Sequence, residues 1–219
     1  MTTTQEHQAG GHHETPEQRH LKEHIALWLF IGGDFVFFAL EVFTWFYLRA
    51  LNVHGMWRGA ACSAANPCTS GDGTDLTHIV PTAPVWHSLA VGGLVLLSAL
   101  FIWQAEERAR SVERRAEVTG WITLGVLTLI AGIVIQCIQF TALPFLTVDG
   151  AYASAFIFFM GTILAHLILT LFLGISVLTR VLRGHYDRRW GLQLRLVRIW
   201  WLWVALSGAA LGLIAVYGA

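Results

Sequence analysis

Hydrophobic and polar positions separate along this chain into long blocks. Apolar residues fill five runs, at about 25–48, 84–103, 118–146, 151–182 and 196–217, and the charged residues gather between them. Each run reaches the roughly 20 residues that an α-helix needs to cross a hydrocarbon core. The pattern predicts an all-α integral membrane bundle of five transmembrane helices. Residues 1–19 form a disordered cytoplasmic tail in this reading, and residues 20–219 the membrane domain. The tail offers Gly, Pro, Thr and charge but no apolar face to bury. The first run does not read as a cleavable leader, because a 24-residue polar segment precedes it, it carries two acids, and no small-residue cleavage site follows. The fourth run, near 32 residues, exceeds a perpendicular crossing and calls for tilt or protrusion.

Composition agrees with the pattern. The chain is 55% hydrophobic and 13% charged, against roughly 25% charged in soluble domains. Many of the ten Trp lie near the ends of runs, as interfacial belts require. A formal net charge of zero provides no electrostatic footprint for nucleic acid. Twelve of the fourteen Lys and Arg fall on one side of the predicted membrane: Arg19 and Lys22, then Arg108 to Arg115, then Arg180 to Arg198. Arg49 and Arg58 alone fall on the other. The positive-inside rule then predicts a cytoplasmic N-terminus and an outside C-terminus. The long connection at about 50–82 lies outside in that topology and carries Cys62 and Cys68 around the turn-forming Asn66-Pro67. A disulfide between them is expected in an oxidising exterior, the alternative being two free thiols. Cys137, within the third run, reads as an apolar filler.

Two carboxylates interrupt the first run. An acid inside a bilayer costs about 2.5–3.5 kcal/mol on the insertion scale unless protein surrounds it. Asp34 and Glu41 are seven residues apart and therefore share one helix face. Other runs supply partners: Gln136 and Gln139 in the third, His166 in the fourth, His87 near the outer end of the second. A bundle interior joining Asp34, Gln139 and His166 would compensate the acid, and proton handling is the expected role of such a cluster. The alternative is a neutral Asp34 that packs and does nothing else. The stretch HLKEH, His20 to His24, fits the inverted zinc-protease pattern. With no third ligand beyond the His-rich tail, it reads instead as a polar helix entry, and no metal site is expected. Walker, nucleophile-elbow and cofactor fingerprints are missing, and no run carries several His at ligand spacing. An autonomous enzyme and a redox core are both disfavoured.

Several stretches resemble one family. LFIGGDFVFF resembles the first-helix pattern of subunit III of the haem–copper terminal oxidases, a small residue, then Glu or Asp, two residues, then Phe-Phe, with Asp34 at the acid position. QCIQF resembles the family's Gln-Ala-Tyr-Glu-Tyr, with Gln136 retained and Gln139 at the Glu position. SAFIFFMGTILAH is similar to its Ser-x-Phe-Tyr…Gly-Phe-His-Gly-x-His segment. Ser154, Phe156, Gly161 and His166 fit there, while Ile163 replaces the first His. His87-Ser88 stands where Asn-Thr is usual, and VRIWWLWVAL lacks the last helix's His and Asp. The chain is thus similar to a divergent member of the five-helix bacterial form.

The resemblance implies a subunit with no redox centre of its own, in a bacterial or archaeal cell membrane. Its partners would be the catalytic subunit I, which with other subunits carries the haem and copper, and subunit II. It would bind no cofactor beyond phospholipid, held in a cleft between its first two helices and the rest, and it would support proton uptake and durability in turnover. Arg180, Arg183, Arg188 and Arg189 are candidates to hold anionic lipid headgroups, the alternative being charge that only sets topology. Two other readings remain: an accessory subunit of a nitric-oxide reductase or another respiratory complex, and a small proton-conducting transporter.

Overall fold

The computed structural model describes residues 15–51, 57, 81–109, 114–147, 150–184 and 188–217. Its five helices are α1 (Pro16–Ala50), α2 (Val85–Arg108), α3 (Arg115–Thr141), α4 (Ala151–Leu182) and α5 (Arg188–Tyr217). Each is long and apolar enough to span a membrane. The chain is therefore a multi-pass helical membrane protein, with five such helices among the described residues.

Local chemistry sets the helix ends. Thr15 and Gln18 form a reciprocal capping box at the start of α1, with Pro16 in the first turn. The expected third span, 118–146, is corrected by the structure: α3 begins at Arg115 and stops at Thr141. Pro144 accounts for the early stop, since a proline disfavours helical geometry at the residue before it and has no N–H to donate. Gly150, at φ 130°, then makes the turn into α4, a conformation that favours glycine. At the far end of α4, Gly184 takes φ 84°. There the Arg115 guanidinium donates to the carbonyls of Val181 at 2.6 Å and Leu182 at 3.2 Å. The Leu182 carbonyl thereby gains a donor, and the Val181 carbonyl, which also accepts the Gly184 N–H at 3.1 Å, gains a second. The first, second and fifth helices run beyond their expected spans, whereas α4 matches 151–182.

Four helices close a ring in which α2 packs on α3, α3 on α4, α4 on α5 and α5 back on α2. The ring closes tightly because small residues face large ones. A Cβ on Gly174 would come within 2.7 Å of the Trp201 ring, and one on Gly125 within 2.9 Å of Ile102. Trp201 is fully buried and donates its indole N–H to Ser98 Oγ at 2.9 Å, while that hydroxyl donates to the Gly125 carbonyl at 2.7 Å. Helix α1 lies outside the ring, seated on α4 and α5. It is not paired with α2 among the described residues, so a two-helix unit of α1 and α2 facing a cleft is not what forms. The reason is visible on α2, whose buried positions, including Ser88, Val91, Val95 and Ser98, are taken up in the ring.

At the end of the bundle where α2 gives way to α3, Arg198 of α5 pairs with Glu106 of α2 at 2.6 Å and lies over the Trp103 ring. Arg108 pairs with Glu117 at 3.4 Å across the α2–α3 turn. Two acids near that turn thus pair with arginines, Glu106 with one on α5 and Glu117 with one on α2. At the opposite end, Trp45, Trp57, Tyr152 and Phe159 form an aromatic cluster. Tyr152 accepts the Ala83 N–H on its hydroxyl at 3.1 Å and donates its own backbone N–H to the Trp57 carbonyl at 3.0 Å. These contacts pin both ends of the long connection onto the bundle. Cys62 and Cys68 lie outside the described residues, as does the tail before Thr15.

Candidate intramembrane polar site

The buried seam of α1 runs through Ile31, Asp34, Phe38, Glu41 and Trp45, alternating steps of three and four residues along one face. Both acids of the first run belong to that seam and point at the α4–α5 groove. Asp34, near the midpoint of α1, has a side chain only 10% exposed. Its Oδ1 lies 2.9 Å from His166 Nε2, and its Oδ2 accepts the indole N–H of Trp203 at 2.5 Å. The other imidazole nitrogen, Nδ1, lies 2.8 Å from the Thr162 carbonyl one helical turn back. Aromatic rings wall the pair: Trp200 stacks on His166 at 6.0 Å, and the Phe38 ring meets it edge-on at 5.4 Å.

Glu41, 3% exposed, sits two turns along from Asp34 and accepts the Thr162 hydroxyl at 2.5 Å on Oε1. Its Oε2 is buried without a hydrogen-bond partner among the described residues. Thr162 thus serves both groups, its hydroxyl turned to Glu41 and its carbonyl to His166. The Thr170 hydroxyl donates to the His166 carbonyl at 2.7 Å and accepts the Trp200 indole N–H at 3.1 Å.

The expected cluster of Asp34, Gln139 and His166 forms only in part. Asp34 and His166 meet, but Gln139 belongs to a separate chain of hydrogen bonds inside the ring. Gln136 Nε2 donates to Gln139 Oε1 at 3.1 Å, and Gln139 Nε2 donates to Ser88 Oγ at 3.0 Å. The physical reason is the seat of α1. It contacts α4 and α5, so α3 presents its amides to α2, on the far side of α4. Beside that chain lies an interior cavity of about 10 Å³, lined by Ser88, Val91, Gln136, Ala205 and Gly208 among others. His87, adjacent to Ser88, is buried and stacks on Trp86.

Other candidates fall away from this centre. Cys137 is exposed on the outer face of α3, so it fills no interior space. Arg180 donates to Gln193 at 2.6 Å where the end of α4 meets the start of α5, and Arg183 caps α4 with its side chain exposed. Arg188 and Arg189 open α5, and their side chains lie outside the described set. His20 and His24 stack edge-on at 4.4 Å. No group of three or more His, Cys, Asp or Glu side chains converges to hold a metal among the described residues.

Sequence reasoning missed Trp203, Thr162 and Ser88. A signal for the first was present. Trp belongs at membrane interfaces, yet Trp200, Trp201 and Trp203 stand well inside a 30-residue helix. An indole that deep needs an acceptor, and each of the three finds one, on α4, α2 and α1 respectively. No protein-family model matches the chain, and a search of curated proteins finds no match.

Proposed function

We propose that this chain is a non-redox, subunit III-like component of a membrane respiratory terminal oxidase. In that role it packs on the catalytic subunit, holds phospholipid, and supports proton supply and stability during turnover in a bacterial or archaeal cell membrane. The observation that carries the reading is the Asp34–His166 contact. These residues were matched independently to two separate stretches of the family, 132 positions apart, and they meet at 2.9 Å. An intramembrane acid bonded inside a bundle is a functional site by default, and its chemistry is proton handling.

Exposed apolar side chains along the outer faces, such as Phe35 and Phe43 of α1 and Phe172 of α4, are available to lipid and to partner subunits. Arg180 and Arg183 at the end of α4, with Arg188 and Arg189 at the start of α5, are the candidates to hold anionic headgroups.

Mild solubilisation of the native membrane, capture of this chain, and an optical spectrum of what accompanies it test the proposal. Haem and copper in a co-purifying catalytic subunit that consumes oxygen is the expected result. A nitric-oxide-reducing partner would assign the chain to the related accessory class. Proton flux through the isolated chain in vesicles, with no haem partner, would favour the transporter reading and overturn this one.

A further inference from the structure

The hydrogen bonds around His166 constrain where its protons are. A backbone carbonyl has no proton to give, so His166 Nδ1, 2.8 Å from the Thr162 carbonyl, must be the donor of that bond. Nε2 then faces Asp34 Oδ1 at 2.9 Å, and this second contact is a hydrogen bond only if one further proton lies between the two atoms. With no such proton, two lone pairs would oppose each other. With two, both atoms would present hydrogens. The pair therefore holds one shared proton and is neutral overall, which the surrounding bilayer also favours.

Two observations place that proton on nitrogen. The second carboxylate oxygen accepts the Trp203 indole N–H at 2.5 Å, so both oxygens of Asp34 receive donors, and donors to both oxygens stabilise the ionised carboxylate. The imidazole lies against the Trp200 ring face at 6.0 Å, a placement that stabilises a cation. The other titratable group on this seam is Glu41. It is bonded to Thr162 and not to the pair.

We propose that Asp34 and His166 form a single-proton site held as a carboxylate–imidazolium pair, with Trp203 as the positioning residue that keeps the proton on Nε2. Moving the proton breaks the Nε2–H bond, forms an Oδ1–H bond, and converts the ion pair to a neutral acid and imidazole with no co-reactant. Since Nδ1 is committed to a carbonyl, the proton leaves or enters through Asp34 and not through the far side of the ring. The site's part in proton supply rests on the proposed function, whereas its proton inventory rests on geometry alone.

The test is magnetic resonance on the full chain in lipid nanodiscs, with ¹⁵N in histidine and tryptophan and ¹³C in the aspartate carboxyl. In the unaltered protein, both His166 nitrogens should resonate as protonated and the Asp34 carboxyl as ionised. Trp203→Phe, which keeps a ring but removes the donor, should shift Nε2 toward the unprotonated position and the carboxyl toward the acid. Trp201→Phe removes an equally buried indole N–H that serves Ser98, and should leave both signals in place. An unprotonated His166 nitrogen in the unaltered chain, or an Nε2 indifferent to Trp203→Phe, would overturn the inference. If Trp203→Phe does not fold, Asp34→Asn replaces it. The Trp203 indole resonance should then shift as its acceptor loses charge, and a fixed resonance would equally overturn the role of Trp203. None of these signals depends on a partner, so the proton site and the respiratory assignment can fail separately.

Discussion

At the level of single residues, the polar site makes Asp34 substitutions unequal. Asp34→Leu leaves the His166 Nε2 and Trp203 indole donors buried and unpaired, at about 1–3 kcal/mol for each unsatisfied group. Asp34→Asn retains one carbonyl oxygen for one donor and turns an N–H toward the other, so it should destabilise less. Under the proposed function, the Asn variant is expected to assemble with normal haem content and normal initial rate, with sustained turnover falling. Oxygen consumption followed over many turnovers checks this, and an Asn variant that holds its rate would sink the functional role of Asp34. Packing gives a second residue-level prediction. Gly174→Ala drives a methyl to within 2.7 Å of the Trp201 ring and 3.0 Å of Val126, both buried. Overpacking of that kind costs about 1–3 kcal/mol. Gly93, whose added Cβ would meet nothing within 4 Å, provides the control. Denaturant titration in micelles should separate the two alanine variants by that amount.

At the level of elements, what could be read in advance depended on how local each cause was. Five helices were legible because a long apolar run is itself the cause of a membrane helix. The common face of Asp34 and Glu41 was legible for the same reason, since helical periodicity alone decides it. The end of α3 was misplaced because hydropathy carries on to Leu146 while Pro144 stops the backbone earlier. The partner of Gln139 was misassigned because helix adjacency is a property of the whole packing, and the seat of α1 against α4 and α5 appears nowhere in a run of residues. Trp203 was hidden by a rule that is usually right, the preference of Trp for membrane interfaces. Arg115 was read only as a topology charge, yet it caps a different helix, and that leads to a prediction. Removing a charged donor from two carbonyls costs about 1.5–3 kcal/mol, and Arg115→Ala should fray the last turn of α4. Hydrogen exchange at residues 181–184 should speed up in that variant while the middle of α4 stays protected. Unchanged exchange there would show that the guanidinium is not what holds this end.

At the level of the whole molecule, two facts combine. The five described helices alternate in direction, and the arginine-rich connections between α2 and α3 and between α4 and α5 lie at one end of the bundle. The short α3–α4 turn at 142–150 is at the other end and has no Lys or Arg. Positive charge is retained on the cytoplasmic side during insertion, so twelve of fourteen Lys and Arg on one side predict which end that is. The aromatic cluster of Trp45, Trp57 and Tyr152 then lies at the outer surface, and the Glu106–Arg198 pair at the inner one. Single cysteines introduced at Leu146 and at Arg183, in a chain with Cys62, Cys68 and Cys137 replaced by alanine, should report opposite sides. Both side chains are exposed, Leu146 in the α3–α4 turn and Arg183 at the end of α4, so accessibility does not confound the comparison. An impermeant thiol reagent added to intact cells should label Leu146→Cys and spare Arg183→Cys until the membrane is opened. The reverse pattern would invert the protein, place the basic cluster outside, and remove the cytoplasmic leaflet's anionic lipids as its ligands. Labelling of both positions in intact cells would contradict a bundle of five crossings, because the α4 helix that separates them could not then span the bilayer.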